Sequence, residues 1–159
     1  MNEFHHAFIV DAPLSVVAAF HHNTGVLEQL TPFPIIARVH QFEPMANGSQ
    51  ARFTLWFGPL PVRWHAIHSD VSAEGFTDTQ VSGPLRSWVH RHQFVAIDSA
   101  TTRVEDHIIY EHDAGWRGII SRLLFARPGL IYLFTARKFM TRRGVARQLA
   151  GDPSGIQTR

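Results

Sequence analysis

Residues 82–94 have the sequence SGPLRSWVHRHQF, and the pattern of this segment indicates the architecture of the whole chain. From the tryptophan onward, every second side chain is either aromatic or a histidine, and a period of two indicates a β-strand. One face of that strand carries Trp88, His90, His92 and Phe94. The arginine between the two histidines lies on the opposite face, and because arginine belongs in water, the tryptophan face should point inward. The strand therefore predicts an inner wall on which two imidazoles lie beside an indole and a phenyl ring.

Other segments alternate in the same way. In residues 51–57, ARFTLWF, and 62–68, VRWHAIH, an arginine again marks the outer face. In residues 101–112, TTRVEDHIIYEH, the face that carries the aspartate is assigned inward. The predicted inward side chains of these three segments are Phe53, Leu55, Phe57, Val62, Trp64, Ala66, His68, Asp106, Ile108 and Tyr110. The inner wall is therefore expected to be rich in aromatic rings and histidines.

The elements follow the order strand, two short helices, six strands and one long helix. Residues 3–11 form the first strand, and the short helices cover 14–22 and 25–30. Six short strands, each bounded by Gly, Pro, Asn, Asp or Ser, fill residues 35–112. A helical segment then stops before a proline at position 128, and the long helix runs over 129–150. The order is typical of a consecutive antiparallel sheet covered by its last helix.

The fold class that follows is α+β. A curved sheet of seven antiparallel strands wraps around the long C-terminal helix, and two short helices follow the first strand. A bent sheet around a single helix tends to leave a cavity. Residues 1–150 are predicted to form one domain, and 151–159 a disordered tail. The core-facing stripe of the last helix is predicted as Tyr132, Leu133, Ala136, Phe139 and Met140.

Composition and charge limit the functional classes. The chain has 159 residues, 45% of them apolar and 18% charged, and no cysteine, which excludes disulfides and thiolate metal sites. The start does not resemble a signal peptide and no run is long enough to span a membrane, so a cytoplasmic location is expected. Residues 116–149 carry eight basic side chains and no acid, whereas residues 1–115 carry six arginines and twelve acids. The last segment is thus a basic element on an acidic body.

Four phrases resemble one superfamily. They are LEQLTPFP (27–34), FGPLPVRWHAIHSDV (57–71), GFTDTQVSGPLRSWVHRHQF (75–94) and TTRVEDHIIYEH (101–112), in that order. Together they are similar to small bacterial members of the START-like or SRPBCC superfamily, also called the polyketide cyclase/dehydrase group. The resemblance implies the helix-grip fold (Bet v 1/START-like) with an interior cavity for a hydrophobic ligand. Members bind lipids, quinones, hormones or polyketides, and some catalyse aromatic cyclisation.

The histidines of the inner wall allow three interpretations. As metal ligands, His90 and His92 would need a third donor such as His68 or Asp106, and no metal-binding motif supports that. As acid–base catalysts they would act with Tyr110 as a proton donor. As polar groups in an apolar pocket they would need only hydrogen-bond partners. The third interpretation is preferred, so no metal and no cofactor is predicted.

The first functional hypothesis is binding or carriage of a hydrophobic small molecule (a lipid, a quinone or a polyketide-like compound) without catalysis. A cyclase or dehydratase is the alternative, and a peripheral membrane or protein-interaction module that uses the basic helix is the third. No phosphate-binding loop, dinucleotide fingerprint or nucleophile elbow is present, and the basic helix lacks the aromatic residues of a nucleic-acid surface. The predicted ligand-binding residues are Phe53, Leu55, Phe57, Trp64, His68, Trp88, His90, His92, Phe94, Leu133 and Met140.

Overall fold

The computed structural model describes residues 1–151 and has the α+β architecture expected from the sequence. The elements in chain order are β1 (Asn2–Val10), α1 (Leu14–His21), α2 (Val26–Leu30), β2 (Ile35–Phe42), β3 (Gln50–Phe57), β4 (Leu60–Ser72), β5 (Gly75–Ser82), β6 (Ser87–Asp98), β7 (Thr101–Glu111), α3 (Gly115–Phe125) and α4 (Arg127–Leu149). The tail predicted for 151–159 lies, apart from a turn at Gly151, outside the described residues.

The seven strands form a single antiparallel sheet in the order β1-β7-β6-β5-β4-β3-β2. Strands 2 to 7 therefore follow one another as a meander, and β1 closes the far side by pairing with β7. The two ends of the sheet are not paired with each other, so it stays an open sheet curved around α4. The seven-stranded helix-grip arrangement predicted from the sequence is confirmed.

Alternation along the strands correctly assigned the two faces of the sheet. Every side chain assigned inward on β4, β6 and β7 is buried, and the three assigned inward on β3 pack partly buried against the core. Arg52, Arg63 and Arg91 are exposed on the opposite face. The inward assignment of the Asp106 face of β7 is confirmed as well, because Asp106, which is 4% exposed, lies directly opposite His92 of β6.

The last two helices are separated where the proline predicts it. Ala126 adopts an extended conformation (φ −67°, ψ 162°) between α3 and α4, and Pro128 lies in the first turn of α4, where its missing amide donor costs nothing. Within residues 1–151, no single helix is long and apolar enough to span a membrane. The α3 segment Gly118–Phe125 and α4 reach that length and composition only as a pair, bent by 43°.

The stripe predicted for the last helix is correct only in part, because Leu133 and Met140 pack against the core but two of its aromatic residues do not. Tyr132 and Phe139 are 47% and 62% exposed, whereas the buried positions of α4 are Leu130, Phe134, Thr141 and Val145. Apolar residues occur around most of this helix, so a period of 3.6 fits more than one face. Packing decides between them: an ideal Cβ placed on Gly144 would lie 2.3 Å from the ring of Phe20, so α4 presents this glycine, and not Phe139, to α1.

Two apolar clusters hold the sheet and the helices together. One lies beneath α1 and the C-terminal half of α4 and includes Phe8, Phe20, Phe94 and Val145. The other lies beneath α3 and the N-terminal half of α4. Its rings include Trp64, Trp88, Phe125 and Phe134. His68 of β4 and His90 and His92 of β6 lie on the inner face of the sheet alongside these clusters, where it lines a cavity.

Candidate functional site

A cavity lies between the inner face of the sheet, α2 with the loop that follows it, and α4. Its volume is about 150 Å³, and it opens to solvent on one side. Its walls are mainly apolar and come from strands β2 to β6 and helices α1 to α4. The apolar part includes Val26, Leu30, Ile35, Phe53, Leu55, Trp64, Ala66, Phe76, Trp88, Phe125, Leu133 and Phe134. The polar part contains His21, His68, Asp78, His90, His92 and Arg137.

Most of the predicted ligand-binding residues lie in this wall. They are Phe53, Leu55, Trp64, His68, Trp88, His90, His92 and Leu133. The structure therefore brings together residues of β3, β4, β6 and α4 that are far apart in sequence. Their contact with a ligand stays a prediction.

Three predicted ligand-binding residues lie elsewhere. Phe94 is 1% exposed and its ring is 4.8 Å from that of His21, because α1 covers this end of β6. Met140 packs against the cluster that contains Phe94 and is not part of the cavity wall. Phe57 lies edge-on against Phe125, 5.9 Å between ring centres, and is not part of the cavity wall.

Tyr110, the predicted proton donor, also lies outside the cavity wall. It is 5% exposed and packs beside Trp88, with the ring centres 6.0 Å apart. Burial raises the pKa of its hydroxyl. Because the indole of Trp88, not Tyr110, lines the cavity, a proton-donor role for Tyr110 toward a bound molecule is not supported.

Two neighbouring rows of the sheet create a buried polar cluster. In one row Asp78 of β5 lies directly between His68 of β4 and His90 of β6. In the next row Asp106 of β7 lies directly opposite His92 of β6. Asp78 thus contacts His68 in its own row and His92 in the next row, and Asp106 contacts His92 in its own row and His90 in the next. Contacts between adjacent rows are the diagonal contacts of an antiparallel sheet.

The distances show how the cluster is connected. The Nε2 atom of His90 is 2.8 Å from Oδ1 of Asp106, and the Nε2 atom of His92 is 3.1 Å from Oδ2 of Asp78. The Nδ1 atom of His92 lies 3.2 Å from Asp106 but does not form a well-aligned hydrogen bond. The Nε2 atom of His68 lies 3.1 Å from Oδ1 of Asp78. A continuous chain therefore runs from His68 through Asp78, His92 and Asp106 to His90.

Charges within this chain are unevenly distributed. Burial opposes the ionised forms of Asp78 and Asp106, but their histidine partners outweigh it and hold the pKa of each carboxyl well below its usual range. Burial likewise opposes protonation of His92, yet the nearby carboxylates of Asp106 and Asp78 raise its pKa. Burial and the neighbouring His92 lower the pKa of His90 to about 4. At neutral pH His90 is therefore the uncharged imidazole, and its Nε2–H donates to Asp106.

Ser49, just before β3, fixes the outer end of the cluster. Its hydroxyl lies 2.9 Å, and its carbonyl oxygen 3.1 Å, from Nδ1 of His68. His68 is 2% exposed, so its ring orientation is set from both sides, by Ser49 and by Asp78. A polar group fixed in this way by its neighbours can present a defined hydrogen-bonding surface to a bound molecule.

Asp78, His21 and Arg137 are polar wall residues that the sequence interpretation missed. Asp78 shares its strand face with Phe76, so alternation could have placed it inward. The Nδ1 atom of His21 lies 2.9 Å from the carbonyl oxygen of Val17, and burial lowers the pKa of this histidine to about 3. Arg137 lies on the basic last helix, and the phase of α4 turns it toward the cavity, with its guanidinium carbon 5.3 Å from the ring centre of Phe134.

Comparison with known proteins gives a fold but no sequence family. No family profile matches the chain, and no curated protein matches it in sequence. The Zhui aromatase/cyclase from Streptomyces sp. R1128 superposes with a TM-score of 0.75 at 12% identity, over 93% of this chain and 95% of that one. A protein from Thermus thermophilus superposes with a TM-score of 0.72 at 16% identity, over 92% and 99%.

Norcoclaurine synthase from Thalictrum flavum, solved in complex with dopamine and hydroxybenzaldehyde, has a TM-score of 0.63 at 15% identity and covers 89% of this chain and 87% of its own. All three similarities extend over nearly the whole domain. At these identities they establish a shared fold and leave the chemistry to be argued from the cavity.

Proposed function

Because the chain has the helix-grip fold of the START-like or SRPBCC superfamily, we propose that it binds a hydrophobic small molecule between its sheet and α4. The observation that carries the proposal is a cavity whose walls are mostly apolar and whose polar groups are concentrated in one buried cluster. Such a division suits a ligand with an apolar body and one polar end. The apolar body would contact Trp64, Trp88 and Leu55, and the polar end would face the histidines.

The size of the cavity limits the ligand. About 150 Å³ is the volume of a dry cavity that accepts a single benzene ring, and drug-sized pockets are several times larger. The enclosed part thus suits one ring or a short chain segment, and the rest of a larger ligand would extend through the open side. Each large apolar side chain that becomes fully buried contributes roughly 1.5–3 kcal/mol, so a few such contacts give micromolar affinity.

The test uses native mass spectrometry and the intrinsic fluorescence of the tryptophans. The purified protein is expected to carry a co-purified small molecule or, once stripped, to bind the apolar dye 1-anilinonaphthalene-8-sulfonate with a change in the emission of Trp64 and Trp88. Ala66→Leu extends a larger side chain into the cavity and should weaken dye binding at least tenfold. Ala96→Leu, an equal change at an exposed position of β6, is the matched control.

Two results would reject this proposal. One is the absence of both a co-purified molecule and dye binding in the folded protein. The other is dye binding that Ala66→Leu and Ala96→Leu weaken equally, because that would locate the dye on the surface.

Acid–base catalysis on the bound molecule is the second candidate. It is favoured by the carboxylate contacts of the two cavity histidines, the 2.8 Å pair of His90 with Asp106 and the 3.1 Å pair of His92 with Asp78. His90, with a lowered pKa, and His92, with a raised one, would supply one base and one acid within a single site. The structural neighbours include an aromatase/cyclase. If the chain is an enzyme, His90→Gln should abolish turnover of the co-purified compound while its binding persists; unchanged turnover would exclude this function.

A contact with an anionic membrane surface is the third candidate, and α3 favours it. Trp116, Ile119 and Leu123 occupy positions i, i+3 and i+7 and are 69%, 69% and 79% exposed, which is an outward apolar stripe on a short helix. Arg122 and Arg127 are exposed beside it. Apolar side chains flanked by arginines, with no acid between 116 and 149, match an interface of acyl chains and anionic headgroups.

Vesicle flotation tests the membrane contact. Phosphatidylglycerol-containing vesicles at low salt should retain the protein, phosphatidylcholine vesicles should not, and Leu123→Glu should reduce the bound fraction at least fivefold. Ile97→Glu, at a position that is 55% exposed near the β6–β7 turn, is the control and should leave binding unchanged. No flotation of the wild-type protein at low salt would remove this candidate.

A further inference from the structure

Three potential metal-ligating side chains converge on the cavity wall. They are Asp78 of β5 and His90 and His92 of the adjacent strand β6. Each offers one donor atom, and these three atoms lie within 4.8 Å of one another. Both histidines are buried, and the Asp78 side chain is 26% exposed. We propose that these three residues form a binding site for a divalent transition-metal cation, with the open side of the site facing the ligand cavity.

The sheet register explains why the three donors meet. Asp78 lies directly opposite His90 in the β5–β6 pairing, and His92 follows two residues later on the same face of β6. The rings of His90 and His92 are 3.8 Å apart between centres, so both imidazoles lie beside the one carboxylate. Two imidazoles and one carboxylate are a common set for Zn²⁺ and Fe²⁺, and three protein ligands leave positions open for water or substrate.

Asp106 is placed to hold a metal-binding histidine in position from behind the site. A metal-bound histidine usually donates its other ring N–H to a carboxylate, which fixes the ring and its tautomer. Oδ1 of Asp106 is 2.8 Å from Nε2 of His90 and 3.2 Å from Nδ1 of His92. The buried carboxylate therefore orients the ring of His90 by a hydrogen bond and lies beside that of His92.

Asp78 has an outer partner as well, because Nε2 of His68 lies 3.1 Å from its Oδ1. Its Oδ2 atom, 3.1 Å from Nε2 of His92, is the oxygen nearest to the imidazoles. A cation that took the place of the proton between these two atoms would need only small movements.

The sequence had pointed away from a metal for a specific reason. It offered His68 or Asp106 as the third donor. In the structure neither takes that place, because His68 contacts Asp78 and Asp106 contacts the imidazoles. The third donor, Asp78, lies on the neighbouring strand, twelve residues before His90, so no short motif contains the set. Only the pairing of β5 with β6 brings it into place.

A second group of donors, Glu3, His5 and His107, lies on the outer face of the sheet and provides the matched control. Zinc binding is measured by calorimetry on protein stripped with a chelator, using the wild type, Asp78→Asn and Glu3→Gln. We expect one Zn²⁺ per chain with micromolar or tighter affinity, at least a hundredfold loss in Asp78→Asn and no change in Glu3→Gln. Asp106→Asn should weaken binding roughly 10- to 100-fold while retaining the stoichiometry.

Cobalt spectroscopy keeps the proposal testable if the Asp78 variant does not fold. Co²⁺ bound through two imidazoles and a carboxylate in a four- or five-coordinate site gives an intense visible absorption band, whereas hydrated Co²⁺ does not. Because Glu3, His5 and His107 offer the same donors, the band is recorded in Glu3→Gln, where it should persist unchanged. No Zn²⁺ binding by the wild type, a featureless Co²⁺ spectrum, or loss of binding in Glu3→Gln alone would overturn the proposal. Dye binding in the cavity is measured separately, so the two proposals can fail independently.

Discussion

At the scale of single residues, the cluster around Asp106 determines much of the chemistry and stability of the inner wall. Its carboxylate is 4% exposed and lies within 3.2 Å of two histidines. The sequence allowed each of these groups to be placed inward by alternation. It did not show that one carboxylate serves two imidazoles, because that depends on the register of β6 against β7.

Replacing Asp106 by asparagine should lower the free energy of unfolding by roughly 3 kcal/mol. The substitution removes the hydrogen-bonded carboxylate of the buried His90 and one of the two carboxylates beside the buried His92. Removing one partner of a buried polar contact costs more than the contact contributes. Urea denaturation of the metal-free protein measures the change. Glu105→Gln, at the partly exposed neighbouring position, should change stability by less than about 0.5 kcal/mol. A similar small effect in Asp106→Asn would contradict the assigned role.

His21 makes the fold sensitive to acid. Burial lowers its pKa to about 3, against an ordinary unfolded value near 6.5, so the unfolded chain takes up the proton first. Its contribution to stability is complete above about pH 6.5 and declines as the pH falls toward 3. The charged groups that influence it are His92, Arg137 and Asp106.

Between pH 8 and pH 5 this one histidine should remove about 2 kcal/mol from the free energy of unfolding. His21→Gln should therefore lose correspondingly less stability than the wild type over that interval, even if it is less stable at pH 8. The measurement is urea denaturation of both proteins at the two pH values. Equal losses in both would show that His21 is not buried in its neutral form.

At the scale of the elements, α4 shows the limit of periodicity. Its bounds and the break before it follow from a proline that disfavours a continuous helix, and both were predicted closely. The rotation of α4 about its own axis was not predicted, because the apolar residues of this helix allow more than one buried stripe. The contact of Gly144 with Phe20 of α1 and the bond from Nε of Arg142 to the carbonyl of Ile9, 2.7 Å long, fix it.

Gly144→Ala should destabilise the protein by about 1–3 kcal/mol, although alanine favours a helix by nearly 1 kcal/mol over glycine. The added methyl group would lie 2.3 Å from the buried ring of Phe20, so α4 or α1 must shift. Thermal and urea unfolding measure the loss. Thr135→Ala, at an exposed position of the same helix, should be neutral or slightly stabilising. Stabilisation by both substitutions would show that α4 is not in contact with α1 at this glycine.

At the scale of the whole molecule, the cavity is a consequence of curvature. The sheet bends around α4, the two apolar clusters fill its ends, and the region lined by Ala51, Ala66 and Leu55 keeps open space. Small side chains on β3 and β4 are therefore as important for the cavity as the large rings beside them. If larger side chains filled this space, the histidine cluster would be buried in the core and would face no cavity.

Filling the cavity should stabilise the free protein. Ala66→Leu adds apolar atoms next to open space, so we expect the free energy of unfolding to rise by about 0.5–2 kcal/mol while ligand binding falls. In a densely packed interior the same change would cost about 1–3 kcal/mol. Urea denaturation of the ligand-free protein distinguishes these cases, and a clear destabilisation would mean that the space beside Ala66 is not open.

Local sequence patterns were enough to establish the order of the elements, the inner and outer faces of the strands and the placement of histidines and aromatic rings on one wall. These properties depend on local periodicity, since side chains two apart on a strand share a face whatever the strand pairs with. Three-dimensional packing was needed for the rotation of α4, the exclusion of Tyr110, Phe57, Phe94 and Met140 from the cavity, and the joining of Asp78 to His90 and His92. Those outcomes depend on register and on packing between distant segments, and no local pattern encodes either of them.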